Sequence, residues 1–182
     1  MDLRMVKTRQ QINKAFMILR EKLMPDKIKV KDICDIAMIN KTTFYHHYAD
    51  SAELSQEIDK LAIERVMAAF SEKDKLFDDP RAYIIGLCNA IEHEYANLFV
   101  VFRGKQDVLC SRLEESLKKC YSELASSIED QIRMSFAIGG FIHVLKDHML
   151  SGLKFNREPL TETTLRMLES IIKPRLGAPS GV

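Results

Sequence analysis

Tryptophan is absent from the 182 residues, and glycine (7), proline (5) and cysteine (4) are sparse. So few chain breakers exclude a collagen-like or low-complexity polymer and leave most of the length free for regular structure. The cysteines, Cys34, Cys88, Cys110 and Cys120, form no CxxC pair and no ligand spacing. That excludes a zinc module, and the expected role is that of small buried hydrophobes in a reducing compartment. No run approaches the roughly eighteen apolar residues of a membrane span, so no membrane partner is expected. The opening MDLRMVKTRQ is charged where a secretory signal is apolar, which points to the cytoplasm. GxxxxGK[ST], GxGxxG and HExxH are missing, and no nucleophile stands beside a base at a recognisable spacing. Neither an enzyme, a cofactor nor a bound metal is therefore expected.

What is present is a chain with 46% hydrophobic and 29% charged residues, the composition of a globular protein. Its net charge of +1 conceals an asymmetry. Residues 1–50 hold 10 Lys/Arg against 6 Asp/Glu, a net +4, and the remainder is net −3. A partner of negative charge would be met at the first quarter. Hydrophobic residues recur at spacings of three and four, while alternating β-branched stretches are scarce, so the fold is read as all-α. Ile12, Ala15, Phe16, Leu19 and Leu23 form the first apolar stripe, with Lys14, Arg20 and Lys22 assigned to the polar face and Pro25 as its stop. VKDICDIA reads as a short second helix, and KTTFYHHY as a third with Asn40 as its N-cap. A longer helix follows from Ser51, its expected cap, to about Phe70. SEKDKLFDDP is the linker, and helical runs are expected over roughly 80–102, 105–124, 127–151 and 159–173.

Residues 28–54 carry the functional signal. A short support helix, a turn plugged by Ile39 and a second short helix follow helix-turn-helix logic, in which the second helix enters a DNA major groove. Lys41, Thr42, Thr43, Tyr45 and His46 are the side chains expected to face DNA, while Phe44, His47 and Tyr48 pack back. His46 and His47 are adjacent, about 100° apart on a helix, which is poor geometry for one metal ion.

Val30, Asp32, Ile33 and Ala37, followed by T-x-F-Y-x-H-Y from Thr42, with Thr43 as its second threonine, and by Asp50, Glu53 and Leu54, resemble the signature of the TetR family of bacterial transcriptional regulators. The signature spans roughly residues 8–55. The resemblance implies a homodimer that binds a palindromic operator in duplex DNA, and a helical C-terminal domain that dimerises and holds a small-molecule effector. It implies DNA contacts at Lys29, Lys41, Thr42, Thr43, Tyr45 and His46. Three positions depart from the pattern: Lys29 stands in place of a capping threonine, Met38 of the turn glycine and Ser51 of a lysine. FAIGGFIHVLKDHMLSG also looks like the subset related to dihydroxyacetone kinase regulators.

The resulting expectation is a TetR-like all-α chain. It has a helix-turn-helix DNA-binding domain at 1–52, a helical effector-binding and dimerisation domain at 53–175 and a disordered tail at 176–182. Phe99, Phe102, Phe136, Phe141 and Leu145 are expected to line the effector pocket, beside the glycine pair Gly139 and Gly140. Phe141, Met149, Leu165 and Leu168 are expected at the dimer interface. A repressor is the expected role. A helical protein-interaction adaptor, or an activator that works through a coactivator, stays open as the alternative.

Overall fold

A computed structural model describes residues 3–76, 78–122, 127–150 and 157–172; the predicted tail at 176–182 lies outside them. Eight α-helices and one 3-10 turn make up the regular structure among the described residues, with no strand. In chain order the helices are α1 (Leu3–Arg20), α2 (Val30–Ala37), α3 (Lys41–Tyr45), α4 (Ser51–Ala69), α5 (Pro80–Phe102), α6 (Gln106–Ser122), α7 (Ile128–Leu150) and α8 (Arg157–Ile172). The chain forms two compact units, Met1–Ala62 with Ala96–Gly104, and Ile63–Tyr95 with Lys105–Val182. These boundaries fall inside α4 and α5, whereas the sequence suggests boundaries after residues 52 and 175.

In the first unit, α1 packs on α2 and α2 on α3. Ile12, Phe16, Ile33, Phe44 and Leu54 are excluded from solvent and form the core. Arg20, assigned by sequence to the polar face, is instead fully buried, one helical turn beyond Phe16. Its guanidinium donates to the carbonyls of Leu23 (2.7 Å), Val101 (3.0 Å) and Arg103 (2.9 Å). Arg103 answers by donating to the carbonyls of Glu21 (3.1 Å) and Arg20 (3.2 Å). Each arginine thus caps the other helix's C-terminus, where carbonyls lack intrahelical donors and the dipole is negative. Burial, with Arg103 nearby, pulls the Arg20 guanidinium below its usual pKa, and the buried Asp59 opposes this. Gly104 follows α5 at φ 78°, a left-handed position that suits glycine.

The second unit is a helical bundle in which α6 packs on α7 and α7 on α8. Leu109, Leu113 and Leu117 of α6 and Met134, Ile138 and Leu145 of α7 are buried in its core. Pro80 opens α5 behind an Asp79 cap, whose carboxylate accepts from the Ala82 N–H at 2.9 Å. Ser127 caps α7 in the same way through the Asp130 N–H at 3.1 Å. Cys34, Cys88 and Cys110 are buried and Cys120 is half-buried. Burial pushes the Cys34 and Cys110 thiols up, as befits unreactive packing groups. No helix among the described residues is long and apolar enough to cross a membrane.

The α2–α3 turn holds the clearest local strain. Met38 adopts φ 54°, ψ 45°, the left-handed conformation that glycine would take without penalty, and its side chain is 93% exposed. The Ile39 N–H reaches the Cys34 carbonyl at 3.1 Å, closing α2 in a Schellman-type turn. Because the Met38 side chain contributes almost no burial to offset the backbone cost, Met38→Gly is expected to raise stability by about 1 kcal/mol. Urea denaturation followed by circular dichroism checks this, and a loss of stability would mean that the exposed side chain has a packing role.

Candidate nucleic-acid interface

The site is built on a helix of five residues, too short to persist on its own. Its N-terminus is held by Asn40, whose side-chain oxygen accepts from the Thr43 N–H (2.7 Å) and the Thr43 hydroxyl (2.9 Å). The sequence-predicted cap is thus in place, but it consumes the Thr43 hydroxyl as a donor. Thr43 is half-buried and belongs to the cap, its hydroxyl oxygen remaining an acceptor. Lys41, Thr42, Tyr45 and His46 are exposed, with Tyr45 at 55%. The helix ends earlier than KTTFYHHY suggests: His46 is its C-cap, and the next bonds are turn-like, from His47 and Tyr48 N–H to the Phe44 carbonyl.

Behind this surface Phe44 is wholly buried and Tyr48 nearly so, their rings 5.8 Å apart. Tyr45 meets the edge of Phe44 at 5.6 Å, and half-buried His47 lies 6.4 Å from Tyr48. The Tyr48 hydroxyl sits among α1 and α4 side chains. It lies 2.9 Å from Glu57 Oε1 and 3.0 Å from Asn13 Oδ1, and it accepts from Arg9 Nε at 3.2 Å. Arg9 also grips Glu57 through both of its carboxylate oxygens. Burial pushes the Tyr48 phenol up to about 12, and Glu57 adds to the shift while Arg9 opposes it. Burial raises the Glu57 carboxyl too, but hydrogen bonds from Arg9 and Tyr48 outweigh it and hold the group below the usual carboxylate range. Sequence periodicity does not single out Arg9, Asn13 or Glu57, which lie at the exposed or half-buried margins of α1 and α4.

Lys29 takes the N-cap position of α2 with extended backbone (φ −96°, ψ 148°) and no side-chain cap. Lys29 and Lys41, beside the N-termini of α2 and α3, are both exposed. For α4 the cap is Asp50, not the expected Ser51. Asp50 accepts from the Glu53 N–H at 2.8 Å and Glu53 reaches back to the Ala49 N–H at 2.5 Å, a capping-box arrangement one residue earlier.

The effector residues suggested by sequence are divided between the two units. Phe99 and Phe102 belong to the first unit, and Phe136, Phe141 and Leu145 to the second. Phe99 and Phe136 are exposed, whereas Phe102, Phe141 and Leu145 are core. Phe136 and Phe141 are five residues apart, which turns them to different sides of α7. The second unit holds a cavity of about 20 Å³, where Tyr83, Leu117, Met134 and Phe141 are among the lining residues. The Tyr83 hydroxyl is buried without a hydrogen-bond partner. Among the suggested dimer residues, Phe141 and Leu165 are likewise core, because α7 and α8 need these faces to close their own bundle. The side chains of Met149 and Leu168 lie outside the described residues. Exposed instead are Ile128, Ile132, Phe136 and Val144 of α7 and Met167 of α8. A Cβ at Gly139 or Gly140 would meet nothing within 4 Å. Among the described residues no group of three or more His, Cys, Asp or Glu could hold a metal ion.

The cap makes a direct prediction. Asn40→Ala should cost about 1 kcal/mol, whereas Asn40→Gly should cost only a few tenths. Equal losses for both in urea titrations would show that the α3 N-terminus is held by something other than the Asn40 side chain.

No family model matches the chain, and no curated protein matches it. Among solved structures it is similar to the dihydroxyacetone kinase operon activator DhaS, with 18% identity and a TM-score of 0.59 over 92% of this chain and 97% of that chain. It is also similar to PfmR, a TetR family transcriptional regulator from Thermus thermophilus, with 19% identity and a TM-score of 0.49 over 94% and 97% of the two chains. The first of these likenesses extends over nearly the whole of both chains, and the all-helical architecture described above is the fold of that operon activator.

Proposed function

We propose that the chain is a TetR-like transcriptional regulator that binds duplex DNA through α3, as a homodimer whose affinity a small-molecule effector tunes. The observation that carries the reading is the capped helix α3, which offers Lys41, Thr42, Tyr45 and His46 to solvent from a unit whose first fifty residues are net +4. A helix with exposed hydroxyl and imidazole groups can enter the major groove, where base edges present distinct donor and acceptor patterns. Lys29 and Lys41 supply phosphate contacts. The name of the similar solved structure, an operon activator, favours activation as a second reading beside repression.

A palindromic operator needs two copies of the head, and the exposed face of α7 supports a second copy as its cover. Ile128, Ile132 and Phe136 recur every four residues, and the open glycine pair continues the line toward Val144. Small residues at such a position let two backbones approach closely. The cavity beside Tyr83, at about 20 Å³, has room for no more than a water, and an effector there would have to widen it.

Two experiments test this reading. Selection of duplexes from a random pool should enrich one sequence, with log affinity falling linearly with log salt. On it, Lys41→Ala should weaken matched and unmatched duplexes alike, while His46→Ala should cost about 1–3 kcal/mol on the matched site alone. No enrichment, or Lys41 controlling preference, would contradict the assignment. Phe136→Glu should yield a folded monomer by sedimentation, since an unpaired charge at a closed interface costs several kcal/mol. An intact dimer of normal stability would move the interface elsewhere.

A further inference from the structure

Helix α3 has a directional restraint at each end, and they differ in kind. At its N-terminus the Asn40–Thr43 cap is local, within the helix itself. At its C-terminal side the restraint is remote: Arg9 and Asn13 come from α1 and Glu57 from α4. Phe44 packing alone leaves freedom to roll, because apolar contact is non-directional. Tyr48 stops the roll only if its hydroxyl is fixed. The phenol has one proton, to give either to Glu57 or to Asn13, and it accepts from Arg9. The planar guanidinium binds both Glu57 oxygens, which orients the carboxylate that faces the phenol, and it also lies 5.8 Å from the Tyr48 ring centre.

Tyr45 and His46 sit between buried Phe44 and Tyr48, so a small roll of α3 would carry them sideways across a base pair. Base-edge hydrogen bonds tolerate displacements of roughly half an ångström, whereas a phosphate contact from a flexible lysine tolerates more. We propose that Arg9 and Glu57 are positioning residues for sequence discrimination, acting on Tyr45 and His46 through the Tyr48 hydroxyl rather than by touching DNA. This rests on the DNA-binding reading. It assigns to the clasp the preference for one sequence over another, and leaves background affinity to Lys29 and Lys41.

The test uses the full chain and a duplex enriched by the wild type from a random pool, with a scrambled duplex of equal length. Tyr48→Phe removes a single oxygen atom and keeps the ring. It and Glu57→Ala should bind the enriched duplex about tenfold more weakly, with scrambled-duplex affinity and salt slope unchanged. Glu57→Gln keeps an acceptor for the phenol and should recover most of the loss. Hydrogen exchange supplies a readout without DNA: amides of residues 41–48 should lose protection in Tyr48→Phe while the interiors of α1 and α4 keep theirs. Parallel losses on both duplexes, protection lost throughout the head, or no change by either measure would overturn the proposal. A wild type that enriches no duplex would contradict the DNA-binding reading itself. Loss of protection confined to 41–48 would in that case still support the clasp as the device that holds this helix.

Discussion

A helix of five residues cannot secure its own position, and the first unit is organised around that constraint. Nucleating a helical turn costs more than its first hydrogen bonds return, so α3 exists because its surroundings hold it. Phe44 supplies burial, Asn40 supplies the cap, and the Schellman-type closure at Met38 and Ile39 sets its direction from α2. The Arg9–Glu57–Tyr48 network then ties its far side to two longer helices. With the backbone restrained in this way, the exposed side chains are not needed to hold the helix in place.

A second set of interactions does for helix ends what the clasp does for α3. Arg20 and Arg103 exchange hydrogen bonds with each other's helix termini and satisfy carbonyls that lack intrahelical donors, that of Val101 in a buried bond. Residues 96–104 thereby join the head, although they follow it by more than thirty residues in the chain. Two guanidinium groups near one another are tolerated because the negative ends of two helix dipoles converge there and Asp59 adds its charge.

Local features of the head are legible in the sequence wherever a residue type carries its own conformational meaning. Asn40 caps because its short side chain reaches the N–H three residues on, and the TetR-like pattern, which has a glycine where Met38 stands, marks the position whose backbone is left-handed. Pro80 and the apolar periodicity place α5 through α8 within a few residues of their ends. Illegible are features that depend on who faces whom. Arg20 reads as solvated because charge is normally outside, and only tertiary carbonyls make its burial tolerable. Asp50 and Ser51 are equally good caps by type, and Glu53, reaching back to Ala49, decides between them. Phe136, Phe141 and Leu165 are alike as hydrophobes. Which of them closes the bundle and which is left open depends on the packing of α6 and α8 against α7.

We propose that the exposed side of α3 is what meets nucleic acid, with the rest of the first unit as its mount. Photocrosslinking of the full chain to its enriched duplex, substituted with 5-bromouracil and followed by peptide mapping, addresses that claim at the level of single residues. The account predicts adducts concentrated at Tyr45 and His46, absent with a scrambled duplex at the same salt. Adducts confined to residues 63–95 or 105–150, or equal yields from both duplexes, would contradict it.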